Sequence, residues 1–81
     1  MSWNYRIVAR DVAGCTFYGI HEVHYDEYGQ IMSWTKRPSR VVCDSLEALD
    51  GMIDMMAEGA SLPVLQENGG GDLMMYVPPD T

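Results

Sequence analysis

Eighty-one residues carry twelve acidic side chains against five basic ones, a formal net charge of −7. That length makes a single domain, near the lower limit at which one hydrophobic core suffices. Affinity for a phosphate backbone or an anionic lipid surface comes mainly from Lys and Arg, so both are disfavoured as direct targets.

From the N-terminus, Trp3, Tyr5, Ile7 and Ala9 alternate with Asn4, Arg6, Val8 and Arg10. Only Val8 breaks the apolar-in, polar-out pattern of a first strand. Asp11 to Gly14 turns the chain, and a second strand runs from Thr16 to Tyr25. Asp26-Glu27-Tyr28-Gly29 suits a type I turn followed by a left-handed residue. That loop sets a register with Tyr25 opposite Ile31, Val23 opposite Ser33 and Glu22 opposite Trp34. The third strand extends from Gln30 to about Arg37, and Pro38 ends it or marks an edge. Arg40 to Cys43 then resumes an extended path.

The one predicted helix spans Asp44 to Glu58, with Asp44 as N-cap and Glu47 completing a capping box. At about 100° per residue, Leu46, Leu49, Ile53, Met56, Ala57 and Ala60 form the stripe that packs on a sheet. Glu47, Asp50, Asp54 and Glu58 form a second stripe, and the helix contains no Lys or Arg. Acids three or four apart repel by a few tenths of a kcal/mol per pair, and the helix dipole disfavours negative charge toward the C-terminal end. Close packing accounts for Gly51, and Gly59 stops the helix. Pro63 to Gln66 reads as a short strand, Asn68 to Gly71 as a flexible turn, and Asp72 to Val77 as a last strand before a Pro78-Pro79 tail. The fold class is α+β: an antiparallel three-stranded meander on one helix, then a short C-terminal hairpin.

Charge divides along the chain. Residues 1–40 hold all five basic side chains and four acids, whereas residues 41–81 hold eight acids and no base. A basic protein surface is the natural electrostatic counterpart of such a half, and the competing explanation is that acidity only confers solubility. No apolar run approaches the ~18 residues of a membrane span, and the N-terminus lacks a signal-peptide layout, which places the chain in the cytoplasm. Cys15 and Cys43 are too few for a disulfide framework and read as small buried thiols.

No cofactor, metal or catalytic constellation emerges. His21-Glu22-Val23-His24 spaces its histidines i, i+3 on a strand, which sends them to opposite faces rather than onto one ion. Cys15 with a histidine, or Ser45 with Asp44, lacks the strained turn that activates a nucleophile. Gly69 to Gly71 lacks the Lys-Ser/Thr that follows in a phosphate loop. Five methionines lie in the acidic half; Met56 falls on the core stripe, and Met55 projects toward solvent as an adaptable contact. Along the acidic stripe, carboxylates four residues apart advance about 6 Å, about one per two phosphates of a duplex strand, enough to compete for a basic groove.

The pattern Trp3-Asn4-Tyr5-Arg6, Tyr18-Gly19-Ile20-His21-Glu22-Val23-His24-Tyr25-Asp26, Gly29, Trp34, Asp44-Ser45-Leu46-Glu47 and Pro63-Val64-Leu65 resembles a group of small bacterial proteins without assigned function. The resemblance spans residues 3–65 and brings no catalytic residues with it. In element order the chain is similar to HicB-type antitoxins, without a DNA-binding tail. In size and acidity it is similar to phage-encoded anti-CRISPR inhibitors. These resemblances imply a non-enzymatic inhibitor or antitoxin-like module. Its partner-binding residues would be Glu47, Asp50, Asp54, Met55 and Glu58, set against a basic nucleic-acid-binding protein surface. The alternative is a homo-oligomeric structural or regulatory protein of an uncharacterised bacterial family, with a homodimer as one form.

Overall fold

A computed structural model describes residues 2–77; the Pro78-Pro79 tail lies outside the described residues. The element order is β1 (Ser2–Val12), β2 (Cys15–Tyr25), β3 (Ile31–Trp34), α1 (Leu46–Ala60), β4 (Leu65–Glu67) and β5 (Leu73–Met75). All five strands form one sheet in the order β3-β2-β1-β4-β5. The α+β class and the βββαββ order hold. The sheet, however, is mixed: β4 pairs parallel to β1, with Val8 opposite Leu65 and Ala9 opposite Gln66. The C-terminal hairpin is therefore the extension of the main sheet rather than an appendage.

β1 and β2 are the longest strands, joined by a two-residue turn in which Ala13 (φ 51°) and Gly14 (φ 83°) both have positive φ. That conformation matches the twist of a hairpin. It puts Val12 opposite Cys15 and Val8 opposite Gly19. Cys15 is exposed at this turn and Cys43 is half-buried, so the expectation of two buried thiols fails at Cys15.

The second turn follows the expected chemistry. Asp26 Oδ1 accepts from the Tyr28 and Gln30 amides at 2.8 and 3.0 Å, and Gly29 takes φ 78°. Tyr25 pairs with Ile31 as expected, but the register shifts between His24 and Tyr25, so Val23 meets Trp34 and His24 meets Ser33. A one-residue slip carries every later side chain to the other face. Here it delivers Trp34 onto the Val8, Val23 and Leu65 cluster, with Tyr25 and Leu73 packed around it. β3 ends at Trp34 rather than Arg37, and the segment 40–43 has no strand.

Each long strand thus has two occupied faces. Odd-numbered residues of β1 face the helix, and Tyr5 and Ala9 are buried there; Val8 is buried on the other face. Val8 is therefore no flaw in the alternation but the centre of a second apolar layer. On that layer Trp34 Nε1 donates to the Gly71 carbonyl at 3.0 Å, reaching from β3 at one sheet edge to the β4–β5 turn at the other. Lys36 Nζ donates to the same carbonyl at 2.8 Å and sits 3.9 Å from the Trp34 ring centroid. The turn itself is ordered by Asn68, whose Oδ1 accepts from the Gly70 and Asp72 amides.

The helix begins two residues later than expected. Ser45, not Asp44, is the N-cap: its backbone is extended (φ −148°, ψ 157°) and its hydroxyl accepts from the Ala48 amide at 3.1 Å. Gly59 does not stop the helix, which continues to Ala60 and is capped by Ser61. Gly59 is buried instead, and a Cβ there would stand 2.0 Å from the Tyr5 carbonyl oxygen. Gly51, by contrast, has nothing within 4 Å of a Cβ position, so close packing does not explain it. The buried face is Met56 and Gly59 flanked by half-buried Leu49 and Met52. Leu46 and Ile53 are 80% and 48% exposed, and Ala57 and Ala60 are exposed too. Taking about 100° per residue, the packing face is rotated by roughly 70° from the expected stripe. Close approach of backbone to backbone at Gly59 sets that rotation, because no other residue type would allow it.

Candidate functional site

On a helix whose inner face is Leu49, Met52, Met56 and Gly59, positions 47, 50, 54 and 58 fall on the opposite, outer side. Glu47, Asp50, Asp54 and Glu58 are all exposed there. Met55 lies on one flank of the stripe, 44% exposed. On the other flank Leu46 and Ile53 form an uncovered apolar strip, missed from the sequence because their spacing matched a core face.

Among the described residues, no Lys or Arg comes within ion-pair distance of the helix acids. Arg6, Arg10 and Lys36 are occupied elsewhere, on the sheet face away from α1. Arg10 Nε bonds Glu67 Oε1 at 2.8 Å, and its Nη1 donates to the Lys36 carbonyl at 2.6 Å. Arg6 donates to the Tyr25 hydroxyl at 3.1 Å and to the Pro63 carbonyl at 2.7 Å. The stripe therefore has no ion-pair partner among the described residues.

A recess of about 160 Å³ opens beside the C-terminal end of the stripe, lined by Trp3, Asn4, Tyr5, Met55, Glu58, Gly59 and Leu62. Its aromatic wall is fixed: Trp3 packs edge-on against Tyr5 at 5.2 Å between centroids and lies 6.2 Å from the His24 ring. Trp3 and Leu62 remain 42% and 38% exposed. Glu58 is therefore flanked by apolar surface suited to the stem of a long cationic side chain, which buries its methylenes while its head stays polar. Sequence reasoning placed Met55 and Glu58 here but not Trp3 or Leu62. Trp3 read as core from strand alternation, and Leu62 lies just past the helix, where periodicity has no say.

The two histidines do part to opposite faces. His24 lies on the helix side, 3.6 Å from Glu22. His21 is buried on the other side, 1% exposed, with Nδ1 2.7 Å from the Thr35 carbonyl and Trp34 edge-on at 5.3 Å. Burial holds its pKa below the ordinary imidazole value; the Thr35 hydrogen bond opposes this, Arg10 adds to it and Glu67 opposes it. The Ser45 hydroxyl is spent on the helix cap. No group of three or more His, Cys, Asp or Glu side chains placed to hold a metal occurs among the described residues. Likewise, no helix among them is long and apolar enough to cross a membrane. Comparison of the chain with protein-family models, with curated proteins and with solved structures finds no match.

Proposed function

We propose that this chain is a non-enzymatic, acidic inhibitor or antitoxin-like module of the bacterial or phage defence type, such as an anti-CRISPR. It would occupy a basic, nucleic-acid-binding surface of a partner protein. One observation carries this reading: four carboxylates share the outer side of the only helix in the described residues, with no internal cation to neutralise them. An unneutralised stripe destabilises its own helix, and it steers association with a cationic surface. Glu47, Asp50, Asp54 and Glu58 supply the field. Met55, with Trp3 and Leu62 beside Glu58, supplies the apolar contact that slows dissociation.

The exposed Leu46 and Ile53 favour a second reading, self-association through the helix. A two-fold contact through the helix would bring two copies of the same unneutralised stripe together. Like charges across an interface oppose such a pairing, so the basic partner is the better match.

The test is capture from native-cell lysate with the wild-type chain and with an Asp50→Lys, Asp54→Lys double variant, both verified as folded by thermal melting. The wild type is expected to retain a basic protein that duplex DNA displaces, and the double variant to lose it. Equal retention by both chains would remove the stripe from the interface. Sedimentation equilibrium addresses the second reading: a dimer that dissociates in Leu46→Glu, Ile53→Glu would favour self-association.

A further inference from the structure

A second recess lies on the sheet face away from the helix and owes nothing to the acidic stripe. It has a volume of about 180 Å³ and is walled by Val8, Arg10 and Val12 of β1, Phe17, Gly19 and His21 of β2, and Pro38, with Tyr18 of β2 at its margin. Register explains the grouping. Val8 is opposite Gly19 and Arg10 opposite Phe17, so these positions fall on one face, whereas Tyr18, opposite Ala9, belongs to the other. Gly19 leaves the floor bare: a Cβ there would lie 3.2 Å from His21 Nε2 and 3.4 Å from the Pro38 ring.

The chemistry of the recess follows from one hydrogen bond. The Thr35 carbonyl can only accept, so Nδ1 of His21, 2.7 Å away, must carry the ring proton. In the neutral ring Nε2 is then a bare acceptor. It has no hydrogen-bond partner among the described residues, although the residue is 1% exposed. Arg10 supplies the opposite character. Its Nε and Nη1 are committed to Glu67 and the Lys36 carbonyl, and Nη2 makes no hydrogen bond among the described residues. The mainly apolar recess thus has one acceptor, His21 Nε2, and one cationic donor, Arg10, on its wall.

We propose that this recess binds a small neutral molecule consisting of one aromatic ring with a hydroxyl group, a phenol. Three features select that class. An engineered apolar cavity of roughly 150 Å³ holds one benzene ring, so the volume suits a single ring and is too small for a drug-sized ligand. The walls Val8, Val12, Phe17 and Pro38 are apolar. A hydroxyl both donates and accepts, which matches Nε2 and Arg10 together. A carboxylate would accept from Arg10 but meet the Nε2 lone pair, and a plain hydrocarbon would satisfy neither.

The test is a nuclear magnetic resonance titration of the full-length chain with phenol, toluene and benzoate, following backbone amides and the His21 ring nitrogens. Phenol is expected to shift Val8, Phe17 and Gly19 and to move the Nε2 resonance toward a hydrogen-bonded value. It should bind roughly tenfold more tightly than toluene, the worth of one well-made neutral hydrogen bond at the upper end. Gly19→Ala should abolish these shifts by placing a methyl group between Nε2 and Pro38. Phe17 is 60% exposed, so Phe17→Ala keeps the fold and should weaken binding. Phenol and toluene binding alike, an unmoved Nε2 resonance, or undiminished binding in folded Phe17→Ala would each overturn the assignment.

Discussion

Two glycines of the same helix illustrate how differently one residue type is used. Gly59 is buried at van der Waals contact with β1, and a Cβ there would overlap the Tyr5 carbonyl at 2.0 Å. Backbone cannot yield as a flexible side chain can, so α1 would have to move off the sheet. Gly51 faces open space. Gly51→Ala is therefore expected to stabilise the protein by about 1 kcal/mol through helix propensity alone. Gly59→Ala should destabilise it by about 3 kcal/mol, since overpacking outweighs the same propensity gain. Urea midpoints with unchanged slopes would check both; similar shifts in one direction would refute the close contact. Neither role was legible in the sequence, which suggested close packing at Gly51 and a helix stop at Gly59. A glycine near a helix end reads as a stop signal, and nothing local distinguishes a stop from a contact made with a strand more than fifty residues earlier.

At the scale of elements, the pieces were readable and their orientations were not. Alternation and turn chemistry located β1, β2 and both hairpin turns, and the acidic run located the helix. The helix face failed because Leu46 and Ile53 look like core by type, while the residue that fixes the rotation, Gly59, has no side chain to score. The β2–β3 register failed for a related reason. The turn chemistry was right, but the shift next to Tyr25 follows from the gain when Trp34 reaches the Val8, Val23 and Leu65 cluster, which is a tertiary effect. The acidic stripe, by contrast, was legible because charge on the outside of a helix needs no partner to be recognised. Its physical consequence is testable without knowing any target. Asp54 lies one turn from both Asp50 and Glu58, on the C-terminal half of a helix with no basic residue in its last turn. Asp54→Lys replaces two repulsions with two attractions and suits the dipole, so it should raise stability by about 0.5–1 kcal/mol. The same change should weaken partner capture. A gain in urea midpoint together with lost binding is the signature of charges retained against stability for function. A loss of stability instead would show that Asp54 has an internal role.

For the whole molecule, the mixed sheet raises the question of what holds its last two strands. β5 is tied only to β4, through three residue pairs, and β4 meets β1 through two. Such short ladders are weak by themselves. What joins them to the body is the layer opposite the helix. There, Leu65 and Leu73 pack with Val8 and Val23, and Trp34 and Lys36 bridge to the Gly71 carbonyl from the far edge. Arg10 reinforces the bridge by bonding Glu67 of β4 while lying 5.4 Å from the Trp34 ring centroid. Trp34 is thus the side chain on which the two ends of the sheet converge. Trp34→Ala should cost about 3 kcal/mol, as for other large aromatic truncations, and the loss should be unevenly distributed. Hydrogen exchange of the Leu65–Glu67 and Leu73–Met75 amides is expected to accelerate well beyond that of the central β1–β2 amides, because the C-terminal hairpin can open without breaking the long antiparallel ladder. Uniform acceleration across all five strands would mean that the sheet opens as one unit. The helix packs on β1 on the opposite side of the sheet from this layer and carries its charged side outward. Partner capture by Trp34→Ala should therefore persist while the hairpin loosens, separating the face that binds from the layer that holds the sheet together.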